Sequence, residues 1–148
     1  MKIHLLGTTG YHPNDKRQTA CMMIPELGIV LDAGTAMYRV RDLIATPTLD
    51  IFLSHAHLDH VIGVTFLFDV LWEKEMQYVR VHAEPDKVEA LKTHLFSELI
   101  FPVQPPFDWS PLNPINADAQ PLTMSIGGGG TLSYFPLKHP GGALGYRL

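Results

Sequence analysis

The run Ser54-His55-Ala56-His57-Leu58-Asp59-His60 places three imidazoles and one carboxylate within six residues. Buried without partners, such groups are costly. As metal ligands they are well matched, because a neutral imidazole nitrogen and a carboxylate oxygen both suit zinc. The bland alternative is a solvated, histidine-rich strand end. If the segment is extended, His55, His57 and Asp59 share one side through the alternation of side chains. His60 then points elsewhere, toward a neighbouring second metal.

Other groups invite less. His4 falls in the first strand, His82 at a strand end and His94 on a helix, and each reads as structural or solvated. His12 sits in a loop over residues 8–19 that should border the cleft, which makes it a candidate substrate contact. Cys21 reads as a small core residue. Trp72 and Trp109 read as packing residues.

The elements that must position the cluster follow from periodicity and punctuation. Short apolar runs at residues 3–6, 20–24 and 29–31, separated by Gly7, Pro25 and Gly28, read as strands. Residues 35–44 carry helical spacing. Residues 49–53 read as a buried strand feeding directly into the histidine run. Residues 61–72 are apolar on nearly every side, as in a buried helix, and 78–81 predict a strand. Residues 86–99 predict a helix, opened by a capping box of Asp86 and Glu89 and striped by Val88, Leu91, Leu95 and Leu99. Residues 101–121 hold six of the twelve prolines and read as a loop. Four glycines at 127–130 predict a hairpin turn between strands at 122–126 and 132–135. Residues 145–148 read as the start of a strand.

Composition bounds the rest. The chain has 148 residues, 46% of them hydrophobic, so one packed domain over 1–148 is expected. The net charge of -4 gives no general attraction to nucleic acid or anionic membrane. One cysteine excludes an internal disulfide framework, and no apolar run approaches a membrane span. A cytoplasmic setting is the expectation.

The string from His55 to His60 matches the H-x-H-x-D-H signature, and the chain is identified on it as resembling the metallo-β-lactamase superfamily. Leu6-Gly7-Thr8 and Leu31-Asp32-Ala33-Gly34-Thr35 resemble that superfamily's opening. Lys138-His139-Pro140 followed by Gly145-Tyr146-Arg147 is similar to the third-histidine region of ribonuclease Z and related phosphodiesterases. The resemblance implies a four-layer αββα fold, of which this chain supplies the first half and roughly one sheet. It implies that His55, His57 and His139 bind a first zinc and that Asp59 and His60 bind a second. Asp32 would hold the metal loop by hydrogen bonds without touching metal. The diiron relatives carry Glu where His57 stands, and imidazole there favours zinc and hydrolysis.

The implied reaction is attack by a metal-bound hydroxide on a phosphodiester, with Asp59 both orienting the nucleophile and binding metal. RNA is a candidate substrate, although the acidic net charge favours a small phosphodiester or nucleotide. An ester, lactone or thioester hydrolase of the same fold is the alternative, as is a non-catalytic zinc-binding module. Relatives supply a bridging aspartate and a last histidine from a second half. Asp108 and Asp118, which precede His139, are poor substitutes. Two zinc ions are expected in a complete site and one in this chain alone. The expected partner is a completing C-terminal segment or a second copy of the chain, whose sheet would cover the strands near 132–135 and 145–148.

Overall fold

The computed structural model describes residues 1–116 and 118–148. Among the described residues, nine strands form two sheets. The first has order β1-β2-β3-β4-β5-β6 and the second β7-β8-β9. In the first sheet, β1 (His4–Gly7), β2 (Cys21–Ile24) and β3 (Ile29–Leu31) form an antiparallel meander. From β3 onward, β4 (Thr48–Phe52), β5 (Tyr78–Ala83) and β6 (Asp108–Pro111) add in parallel. Parallel pairing needs crossovers, and the helical segments supply them.

Alternation along β4 divides the molecule into layers. Leu49 and Ile51 face a core shared with Met37, Val40, Val64, Leu67 and Val88 from the helical side. Phe52 faces the opposite way, against Leu132, Tyr134 and Leu144 of the second sheet. The result is three layers: helices, the six-stranded sheet, and the three-stranded sheet of β7 (Leu122–Ser125), β8 (Thr131–Leu137) and β9 (Ala143–Arg147).

Several expectations change here. The chain contributes to both sheets, where one was expected. Strands β8 and β9 pair with each other in register Ser133↔Arg147 to Leu137↔Ala143. Their apolar side chains pack on Ile29 and Phe52 of the first sheet. The proline-rich stretch conceals β6, an edge strand whose proline lies at its last position, where a missing N–H costs no ladder bond. The glycines at 127–130 do join β7 to β8, through a short 3-10 turn, Gly127–Gly129.

Helices are more broken than their patterns predict. Thr35–Leu43 is 3-10. The apolar segment after the histidine run divides into α1 (Leu58–Val61), a 3-10 piece (Ile62–Phe66) and α2 (Leu67–Val70). Trp72 lies beyond α2 and is 64% exposed, so it is not a packing residue. The helix α3 (Pro85–Ala90) starts on Pro85, whose fixed φ suits the first helical position, and continues as a π turn, Leu91–Leu95. No capping box forms. Glu84 occupies the N-cap position without a side-chain cap bond. Glu89 instead meets the Thr93 hydroxyl at 3.3 Å. Leu99 lies outside the helix and is almost fully exposed.

No helix among the described residues is long and apolar enough to cross a membrane. The parallel strands deliver the loops that matter at one end. Asp32 follows β3, the histidine run follows β4 and Glu84 follows β5. Ligands of open parallel sheets bind at this carboxyl end.

Candidate metal centre

Strand β4 ends at Phe52, and residues 53–57 run on without regular structure until α1 begins at Leu58. The connection is pinned on both sides. Leu53 N–H donates to the His82 carbonyl at 2.9 Å, and Leu144 N–H donates to the Ser54 carbonyl at 2.8 Å. The Tyr146 hydroxyl donates to the Leu53 carbonyl at 2.7 Å. The second sheet is thereby tied to the loop that carries the histidines.

His55, His57 and His139 each present one ligand atom, and these atoms lie within 4.8 Å of one another. His139 reaches the cluster from the connection between β8 and β9, far away in sequence. The rings of His55 and His139 stand 4.5 Å apart, and those of His57 and His139 5.0 Å. The ring of His60 is 4.2 Å from that of His55.

Asp59 and His60 form a second, smaller group. Read as extended chain, Asp59 would side with His55 and His57. The helical turn that starts at Leu58 carries its carboxylate to His60 instead, with Oδ2 at 3.5 Å from Nε2. The Tyr11 backbone N–H also donates to Asp59 Oδ2, at 2.7 Å. Burial would raise the Asp59 carboxyl, but the Tyr11 amide and His60 outweigh it and hold the group below its ordinary value.

Asp32 touches none of the converging atoms. Its Oδ1 accepts from Ser54 N–H at 2.7 Å, and its Oδ2 accepts from Ser54 Oγ at 2.9 Å and His60 Nδ1 at 2.8 Å. Ser54 Oγ also lies 2.9 Å from His55 Nδ1. An ionised carboxylate only accepts, so the single Ser54 hydroxyl proton goes to Asp32, and Ser54 Oγ must accept from His55 Nδ1–H. Asp32 therefore sets the tautomer of two rings, His60 directly and His55 through Ser54. His139 Nδ1 donates to the Pro140 carbonyl at 2.8 Å. In His55 and His139 Nδ1 carries the proton and Nε2 keeps its lone pair, the arrangement that hydrogen-bond partners impose on metal-binding histidines, while His60 holds a proton on Nδ1 against Asp32.

Charge at the cluster favours a cation only when the rings are neutral. Burial, then the neighbouring His60 and His57, push His55 down to about 4. The Asp32 hydrogen bond pulls His60 up. Crowded neutral imidazoles with their lone pairs converging fit a divalent metal of borderline softness, and Asp59 with His60 can add oxygen and nitrogen donors beside them.

A cavity of ≈ 210 Å³ opens beside the histidines, lined by His55, Ala56, His57, Lys87, Pro140, Gly141 and Gly142. A larger one, ≈ 540 Å³, lies at the opposite end of the sheet around Tyr78, Val79 and Asp108, away from this chemistry. His12 is exposed, with Nδ1 against the Pro13 carbonyl, and makes no contact with the histidines. His82 is buried between Asp50 and Phe52, at 2.7 Å from Asp50 Oδ1. Sequence reasoning overlooked the part played by Ser54, although its place between strand and first histidine was a usable signal. The Tyr11 amide left no signal in the sequence.

No protein-family profile matches the chain. It superimposes on the metallo-β-lactamase fold protein YhfI from Bacillus subtilis with TM-score 0.70, at 17% identity, covering 98% of this chain and 56% of that one. The chain has the metallo-β-lactamase fold. A second solved metallo-β-lactamase-fold relative is human tRNase Z, short form, with TM-score 0.70, 16% identity, and 99% of this chain covering 64% of that one. In sequence, this metallo-β-lactamase-fold chain is 29% identical to a ribonuclease Z of Bradyrhizobium diazoefficiens over 146 residues, 93% of this chain and 46% of that protein. It is 42% identical over 67 residues to the ribonuclease Z of Nanoarchaeum equitans, 42% of this chain and 21% of that protein. The chain thus spans less than half the length of these curated relatives.

Proposed function

We propose that this chain is the metal-binding portion of a zinc-dependent phosphodiesterase of the ribonuclease Z kind. The observation that carries the proposal is the convergence of His55, His57 and His139, from two separate parts of the sequence, with the Asp32–Ser54 relay fixing the His55 proton, and the Pro140 carbonyl the His139 proton, on Nδ1. The similarity to ribonuclease Z along nearly the whole chain supports a phosphodiester, RNA included, as the substrate class.

In this reading His55, His57 and His139 hold a first zinc, and Asp59 with His60 contribute to a second. Zinc held there would supply Lewis-acid chemistry and activate water for attack. Asp59, held at Oδ2 by the Tyr11 amide, keeps Oδ1 free to orient the attacking water. Lys87 lines the cavity beside His55 and His57, with its ammonium paired to the Asp86 carboxylate and 4.0 Å from Glu84 Oε2. With two protein ligands from this chain, the second metal needs further donors, which a longer polypeptide or a partner would supply together with a bridging aspartate.

Metal analysis followed by a hydrolysis panel tests the reading. Zinc-loaded protein should bind one equivalent tightly and prefer bis-p-nitrophenyl phosphate to a lactone or a thioester. Preference for the lactone or thioester would move the assignment to the acyl hydrolases of this fold. Zinc uptake without turnover of any of the three would leave a binding module.

A further inference from the structure

Tyr11 is the least comfortable residue near the metal centre. Its φ is +65°, a region that L side chains with a bulky ring rarely occupy. His12 N–H donates to the Gly10 carbonyl at 2.9 Å across it, which makes Tyr11 the centre of a tight three-residue turn. Glycine would adopt this backbone without strain. The turn is nonetheless held firmly. Thr8 and Thr9 N–H both donate to the Gln18 carbonyl, at 3.0 and 3.1 Å, and Tyr11 N–H donates to Asp59 Oδ2. Backbone strain that the surroundings over-determine gathers at functional sites.

The ring is not what holds the turn. Tyr11 is 87% exposed, so its aromatic face packs on no core. It does have one companion: the His12 ring, edge-on at 5.2 Å and 66°. The hydrogen bond from its N–H to Asp59 roots this exposed residue beside the carboxylate, where Asp59 and His60 lie. A planar apolar surface rooted this close to Asp59 offers any aromatic group on the substrate a face on which to stack.

Building on the phosphodiesterase reading above, we propose that Tyr11, braced by His12, is a substrate-contacting residue that stacks on a planar base or aryl group attached to the phosphate. The backbone and the ring of Tyr11 then do separate things. The N–H fixes Asp59, and the ring selects phosphates that carry an aromatic substituent.

That separation makes the test clean. Tyr11→Gly keeps the N–H and suits the positive φ, so the Asp59 contact survives while the ring is lost. Tyr11→Phe keeps the ring. Calorimetric titration of zinc-loaded protein with adenosine 5′-monophosphate and with ribose 5-phosphate isolates the base. The native chain should bind the nucleotide about tenfold more tightly than the sugar phosphate, within the range expected of one stacked base. Tyr11→Phe should keep that preference. Tyr11→Gly should abolish it, leaving the sugar phosphate affinity and the zinc content unchanged. Equal affinity of the native chain for the two ligands overturns the stacking role and leaves the metal assignment standing. So does a Gly variant that keeps the preference or that loses its zinc. A native chain that takes up no zinc overturns the metal assignment, and the stacking role with it.

Discussion

Replacing Asp32 by Asn would test the relay that sets the histidine tautomers. Asn is among the few residues that tolerate the left-handed φ of +58° found at position 32, so the backbone should be retained. The side chain keeps its shape but exchanges one acceptor for an NH₂ donor. With the amide oxygen left facing Ser54 N–H, the NH₂ points at Ser54 Oγ and His60 Nδ1, which lie 2.9 and 2.8 Å from Oδ2 in the native chain. His60 must then accept at Nδ1, which moves its proton to Nε2. Ser54 Oγ accepts from the NH₂ and turns its own proton toward His55 Nδ1, displacing the His55 proton to Nε2 as well. Both rings lose the lone pair they would offer a metal. Restoring the ligating tautomers leaves a ring N–H facing another donor, and a part-buried donor left unpaired costs about 1–3 kcal/mol. That corresponds to a loss of about 10–100-fold in zinc affinity, as usual for partners of metal-binding histidines. Competition against a chromophoric chelator at pH 7.5 measures it, with circular dichroism to verify the fold. A variant that binds zinc within about twofold of the native affinity would refute the relay.

Three further outcomes are expected. His57→Ala should lose most bound zinc, whereas Cys21→Ala should keep it, because that thiol is buried, pushed up to about 12 by its burial, and outside the cluster; plasma mass spectrometry of both proteins decides this. In metal-free protein the depressed His55 makes the unfolded state take up a proton that the folded state refuses, so stability should fall as pH drops from 6.5 toward about 4. Urea titrations with chelator at pH 7 and pH 5 should show native protein losing more than His55→Gln, and parallel losses would contradict the shift. Gly63→Ala would set a Cβ 2.3 Å from the Gly34 carbonyl oxygen and 2.8 Å from that of Ala33, so it should cost upwards of about 3 kcal/mol in denaturant; a loss under about 1 kcal/mol would mean that the seam yields easily.

What could be read in the sequence was whatever depends on local order. The cluster from His55 to His60, the strand before it and the hairpin at the glycines follow from residue type and period alone. The misreadings share a cause, which is pairing between distant segments. Strand β6 looks like a proline-rich loop because its reason to be extended is the β5 edge, in register Arg80↔Asp108. The second sheet was undercounted because β8 and β9 gain stability from one another and from Phe52, none of which shows in a window of ten residues. The alternation argument placed Asp59 beside His55 and His57 because it assumed extended chain through a point where a helix begins. Asp32 was read as a loop-holding group from its place after β3; the proton relay through Ser54 emerges only when three side chains meet across 28 residues.

The strip of main chain around Gly34 has a further consequence. Ala33 N–H donates to the His60 carbonyl and Gly63 N–H to the Ala33 carbonyl, both at 2.7 Å, while a Cβ on Gly34 would fall 2.3 Å from the Asp59 carbonyl oxygen. The segment that carries Asp59 and His60 is thus docked by peptide groups, which every sequence possesses, and by two glycines. A few side chains add to it: Thr19 and Thr35 each accept from the other's backbone N–H beside Gly34, and Asp32 holds His60. A lineage can exchange most of its surface and core and still present the same donors at the same spacing, provided these few small residues persist.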